Sequence, residues 1–348
     1  MVPFAGYDMP VQYEGVKQEH LAVRRAAGLF DVSHMGEFEL DGIEALAVID
    51  SLITNDASKL ADGRALYTCA CNERGTILDD LIVYRLREDK WLVVCNASNR
   101  DKILPHFTAA AAGRCAIEDA TERTALIALQ GPQAMAVAAR AGSEGAALAE
   151  LQSFELREAS LVGVECIAAR TGYTGEDGIE IFCDADDAVS LWRGLLEAGR
   201  ELGLAPAGLA ARDTLRLEAR LSLYGNDIDE TTNPLEAGLG WTVKLGKAEF
   251  LGKEALLALK AGGLNRKLVG FEMVGRGIAR HGYALLDATG NTIGNCTSGS
   301  PAPSLEKSIG LGYVTLGQDA IGTKIYVDCR GKSIEAVVVP TPFYKRAT

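Results

Sequence analysis

Two adjacent aspartates stand inside an apolar run, ILDDLIVYRL, at residues 77–86. Side chains alternate faces along a strand, so Asp80 would share a face with Ile82, Tyr84 and Leu86, and Asp79 with Leu81, Val83 and Arg85. Gly75, just upstream, implies a turn leading in, and Asp79 at the start of the strand can hydrogen-bond within that turn. Asp80 is harder to place. An ionised carboxylate on an apolar face costs several kcal/mol unless it is paired or hydrogen-bonded, and burial raises its pKa toward neutrality. A carboxyl in that state suits proton transfer or the holding of a cationic intermediate. The alternative is that both acids cap a turn and face water.

A second constellation is RTGYTGEDGIEIF, residues 170–182. On a strand, Ile179 and Ile181 take one face and Glu180 and Phe182 the other. A carboxylate accepts two parallel hydrogen bonds in one plane, which suits the ring N–H and exocyclic amine of a pterin or guanine edge. A solvent-facing Glu is the competing reading. In AARDTLRLEA, residues 210–219, helical spacing puts Arg212, Leu215, Arg216 and Ala219 on one side. Arginine there fits a carboxylate or phosphate through its fork, or else a surface ion pair. Tyr67, Tyr173 and Trp241 are rings that can stack on a flat ligand or simply fill core. Together these residues describe an acid-based, metal-free soluble enzyme working on a flat heterocycle.

The elements that must carry them read as follows. Residues 186–202 place Val189, Trp192, Leu195, Leu196 and Leu202 at helical spacing, with Gly203 as a stop. Residues 44–53 and 253–263 predict shorter helices, and 132–142 opens on a proline and closes on a glycine, as helices do. Strands are predicted at 37–40, 81–86, 90–95, 178–182, 267–273, 312–316, 324–329 and 334–339. The last 80 or so residues hold strands and glycines without a long helix, which predicts a small barrel or sandwich. Upstream, the regular βα alternation of a doubly wound fold is missing, so the fold class is α+β with mostly antiparallel sheets.

A chain of 348 residues has room for two or three domains. A net charge of −12 argues against a general nucleic-acid binder, and no apolar run approaches the length of a membrane span. The eight cysteines are scattered without a CxxC pair, and MVPFAGYDMP lacks the pattern of a secretory leader. Reduced thiols, a cytoplasmic location and no metal site are expected. GYTGEDG (172–178) and GWTVKLGK (240–247) miss the spacings of phosphate-binding loops and are read as turns.

FAGYDMP (4–10), AGLFDVSHMGEF (27–38), ERGTILDDLIVY (73–84), RTGYTGEDGIEI (170–181), PAGLAARDTLRLEA (206–219), TNPLEAGLGWTVKL (232–245) and VVPTPFYKR (338–346) occur in an order that resembles the aminomethyltransferase, or T-protein, family of the glycine cleavage system. The resemblance covers essentially the whole chain. It implies a three-domain cloverleaf of mostly antiparallel sheets with flanking helices and a C-terminal β-barrel, around a central folate channel. The domains would be 1–36 with 122–240, 37–121 carrying the catalytic acid, and 255–348. It further implies transfer of a one-carbon unit from the aminomethyl-lipoyl arm of H protein to tetrahydrofolate, with ammonia released. By family position, Asp80 would be the catalytic carboxylate, Glu180 the acid on the pterin edge and Arg212 a folate contact. Tyr67, Tyr173 and Tyr344 would lie near folate or substrate. The family normally carries a helical segment ahead of FAGYDMP, so the chain starts inside that region. A tetrahydrofolate-dependent demethylase of a small methylated compound is the alternative. The cysteine-bearing KGCYxGQE-like stretch of the folate-binding relatives that maintain iron–sulfur proteins is replaced here by EFLGKEAL.

Overall fold

The apolar alternation of ILDDLIVYRL forms the strand Ile77–Arg87 in a computed structural model that describes residues 1–346. It is reached by a tight turn from Arg64–Cys71. Gly75 adopts φ +74°, a conformation that costs a residue without a Cβ little, and its N–H donates to the Asn72 carbonyl at 2.9 Å. Leu81 and Val83 then fall on one side of the strand, packed with Phe38, Trp91 and the helices Ala45–Leu52 and Arg100–Ala111. The five-stranded sheet runs Arg64–Cys71, Ile77–Arg87, Lys90–Cys95, Gly36–Asp41, Ala116–Asp119, antiparallel throughout.

A six-stranded sheet takes its strands from both sides of that segment. Its order is Leu156–Leu161, Val164–Ala169, Gly178–Asp184, Thr124–Gln130, Ala27–Asp31, Leu204–Pro206. Only the last pairing is parallel. Ile179 and Ile181 bury against the helices Ala134–Arg140 and Ala188–Gly199; of the face expected over residues 186–202, Trp192, Leu195, Leu196 and Leu202 pack on this core, whereas Val189 is exposed. The opposite face, with Phe30, Ala128 and Phe182, packs against Tyr84, Leu92 and Val94 of the five-stranded sheet. Each such large apolar side chain contributes roughly 1.5–3 kcal/mol by leaving water. The two sheets are therefore joined by a core, and polar residues on these facing sides are either buried or open into whatever space the sheets leave.

Beyond the helix Lys253–Gly262 the chain closes a six-stranded barrel in the order Arg266–Met273, Lys307–Thr315, Thr292–Ala302, Ala284–Leu286, Lys324–Asp328, Ser333–Val339. Phe271, Leu285, Val314, Ile325 and Val338 fill it. Leu268 and Leu311 instead point outward onto Leu217, at the end of the helix Leu209–Glu218, which fixes the barrel against the first body.

Candidate active site

Tyr67 and Asp80 lie on neighbouring strands in the register Tyr67↔Ile82 and Cys69↔Asp80, so both side chains project from the same face. The Tyr67 hydroxyl donates to Asp80 Oδ2 at 2.9 Å, and Asn96 Nδ2 donates to Oδ1 at 2.7 Å. Burial raises the Asp80 carboxyl above the ordinary carboxylate range. Those two donors pull the other way, and the Asp227 carboxylate pushes it further up. Trp241 stacks on Tyr67 with centroids 5.7 Å apart and the planes 23° apart.

Glu180, on Gly178–Asp184, is 7% exposed and accepts a hydrogen bond from the Thr171 hydroxyl at 2.6 Å. Its strand face is thus buried rather than solvated. Arg212 projects from Leu209–Glu218 with its guanidinium 4.5 Å from the centre of the Tyr173 ring. It makes no ion pair among the described residues, and burial lowers its pKa. Arg216, one turn on, is committed: it binds Asp227, Asp213 and the Ser298 hydroxyl of the barrel. The His34 and Phe4 rings meet edge to face, and His34 Nδ1 is buried without a hydrogen-bond partner among the described residues. Burial, and then the Arg212 charge, drop the His34 pKa to about 3, so the ring is neutral.

Tyr67, Asp80, Tyr173, Glu180 and Arg212 all line one cavity of about 1410 Å³, with His34 and Asn96. Pockets for one drug-sized ligand are roughly 300–1,000 Å³, so this cavity exceeds the usual size for a single such ligand. Tyr344 is placed elsewhere. Its ring lies under the Arg24 guanidinium, 3.9 Å away, and its N–H donates to the Glu218 carbonyl. It thereby pins the tail that brings Thr341, Pro342 and Arg346 to the cavity wall.

Asp79 corrects the reading of a residue bonding its own turn. The strand already begins at Ile77, and Asp79 is fully buried on the face opposite Asp80, bonded to Asn96 and Asn99. Sequence reasoning also missed Asn96 and His34. Asn96 follows directly on KWLVVC, and a polar residue at the end of a buried strand was the one signal for it.

A GCVT N-terminal domain matches residues 1–247 and a glycine cleavage T-protein C-terminal barrel domain matches residues 266–345. The chain belongs to the glycine cleavage T-protein family. It is 49% identical to an aminomethyltransferase of Symbiobacterium thermophilum over 99% of this chain and 93% of that one. To an aminomethyltransferase of Halothermothrix orenii it is 48% identical, over 99% and 95%. The crystal structure of the glycine cleavage system aminomethyltransferase T from Bartonella henselae superposes with a TM-score of 0.91 at 38% identity, covering 99% of this chain and 94% of that one. The chain is thus an enzyme of the aminomethyltransferase class, and the T-protein barrel is the closed one described above. These likenesses do not favour the demethylase alternative.

Proposed function

We propose that this T-protein family member takes the one-carbon unit from the aminomethyl-lipoyl arm of H protein and passes it to tetrahydrofolate. The products are ammonia, 5,10-methylenetetrahydrofolate and dihydrolipoyl-H protein. The observation that carries this reading is Asp80, a half-enclosed acid held by Tyr67 and Asn96 on the wall of a cavity larger than a single drug-sized ligand usually occupies.

Tetrahydrofolate fits the residues present. Glu180 is a buried acid on the cavity wall whose carboxylate can take a pterin edge, and Arg212 is a cavity cation without an ion-pair partner among the described residues. Tyr173 and Trp241 offer ring faces. The folate supplies two ring-side nitrogens that come to share the transferred carbon. The two protons those nitrogens release end on the lipoyl sulfur and on ammonia, so atoms and charge balance. Asp80 holds the aminomethyl cation before transfer and orients the reacting nitrogen as positive charge moves between the partners. Its raised proton affinity suits it to receive and pass on one of those protons. Most of the remaining work is positioning, for which a walled cavity serves.

Asp80→Asn tests this. The variant should fold and bind tetrahydrofolate, while ammonia release from aminomethylated H protein falls by about 100-fold or more. Normal turnover would remove Asp80 from the mechanism. Loss of folate binding alone would make it a binding residue. We also place the enzyme in the cytoplasm, and take 1–36 with 122–240, 37–121 and 255–348 as its domains. In support, the strands of each sheet fall within one of those ranges to within a residue.

A further inference from the structure

Asp79 is the first acid of the pair, and the mechanism above leaves it unused. It is fully buried, and its hydrogen-bond partners among the described residues are all donors. Oδ1 accepts from Asn96 Nδ2 at 2.8 Å and from Asn99 Nδ2 at 2.6 Å, and Oδ2 accepts the backbone N–H of Asn96 at 3.0 Å. Asn96 Nδ2 has two protons. One is spent on Asp79 and the other reaches Asp80 Oδ1 at 2.7 Å. A single carboxamide therefore bridges two carboxyls on opposite faces of one strand. The amide could turn end for end only by presenting its oxygen to both of them, which would replace two attractions by two repulsions.

We infer that Asp79 is a positioning residue, clamping the Asn96 carboxamide so that an N–H faces Asp80 in the cavity. The inference rests on the functional reading above for its consequence in catalysis, though the clamp itself is a matter of hydrogen-bond geometry. A buried carboxylate is an expensive way to hold one amide. A neutral strand residue would leave Asn96 free to rotate and Asp80 with Tyr67 as its remaining side-chain donor. Burial, and then the Asp80 carboxylate, hold the Asp79 carboxyl well above the ordinary carboxylate range, against the pull of the Asn96 and Asn99 donors.

The other groups around the pair stay fixed in the comparison. Asp80 faces Tyr67 and Cys69 from the adjoining strand, Tyr173 from the 170–178 loop, and Asp227, whose charge Arg216 meets. On the other face, Asp79 has Cys95 and Tyr224 nearby.

The experiment follows the Asp80 carboxyl by 13C NMR in the full chain labelled at aspartate, alongside kcat, KM for tetrahydrofolate and their pH profiles. Asp79→Asn should loosen the aimed donor and move the Asp80 midpoint, and the acidic limb of kcat, to higher pH. Asn96→Ala, which deletes the aimed donor outright, should move both at least as far in the same direction. In both variants kcat should fall about 10-fold or more while KM for folate stays within about twofold. An Asp80 midpoint unmoved by Asp79→Asn overturns the inference whether or not the enzyme is active. A moved midpoint in a protein that makes no ammonia from aminomethylated H protein upholds the clamp and sinks the functional reading instead. If Asp79→Asn does not fold, Asn99→Ala replaces it. Asn99 touches Asp79 from outside the cavity, so a threefold or larger loss of kcat at unchanged KM supports the clamp, and an unchanged kcat refutes it.

Discussion

Tyr67 supplies one of the two side-chain hydrogen bonds that favour ionised Asp80. Tyr67→Phe removes that donor and keeps the ring, so Asp80 binds its proton more tightly. If the ionised form is the working one, activity in the variant should disappear at a higher pH as the medium is acidified. A pH–kcat profile whose acidic limb stays in place would show that Tyr67 does not set the charge of Asp80. Glu180 acts on a different quantity. Its carboxylate faces the cavity from a buried strand position, where a charge-assisted hydrogen bond contributes roughly 1.5–3 kcal/mol. Glu180→Gln should therefore weaken tetrahydrofolate binding by about 10- to 100-fold in calorimetry, with kcat at saturating folate changed far less. Unchanged affinity would move the pterin edge away from this residue.

The elements that hold these residues were largely readable from period alone. The helix Leu209–Glu218 sets Arg212 and Arg216 on one side, as their spacing requires, and the strand Gly178–Asp184 turns Ile179 and Ile181 to one core and Glu180 to the other. What period does not carry is the partner across space. Asp79 looks like a turn residue until Asn96 and Asn99, brought in from the next strand and its following turn, surround it. Tyr344 lies near the cavity in the chain's course, yet Arg24 of a helix more than 300 residues earlier holds its ring away. Motif resemblance singled out Asp80 and Glu180 as candidates because it carries such distant pairings implicitly. Close approach of elements is also invisible in spacing. Gly131, after the strand Thr124–Gln130, adopts φ +131°, and a Cβ there would stand 2.5 Å from the Ala26 carbonyl oxygen and 2.6 Å from that of Val23. Both obstacles are backbone and cannot swing aside. Gly131→Ala should cost about 2–4 kcal/mol in denaturant unfolding. A loss under half a kcal/mol, roughly the scale of a neutral surface change, would mean that the junction of strand and helix is loose.

At the scale of the molecule, the cavity depends on how three sheets are held together. The barrel is tied by Ser304, whose N–H donates to Glu218 and whose hydroxyl meets His20, while Arg24 closes the same cluster on Glu218. Between the two open sheets the junction is largely apolar. Glu37 is 1% exposed on the face shared with Val94, and neither of its carboxyl oxygens has a hydrogen-bond partner among the described residues. Burial, with the nearby Glu180 and Glu39 carboxylates adding to it, lifts its pKa from 4.5 to about 8, although Thr124 and Arg123 oppose the shift. The folded chain thus keeps a proton that the unfolded chain gives up above about pH 4.5, so this group stabilises the fold at low pH and loses that contribution as the pH climbs through 8. Glu37→Gln carries an uncharged amide at every pH. Relative to wild type it should gain about 2 kcal/mol of unfolding free energy between pH 6 and pH 8, the span over which the native acid is forced toward ionisation. Urea unfolding of the ligand-free proteins at the two pH values reads this directly. Parallel changes in the two proteins would mean that Glu37 finds water or a partner on ionising, and that the junction between the sheets opens to admit it.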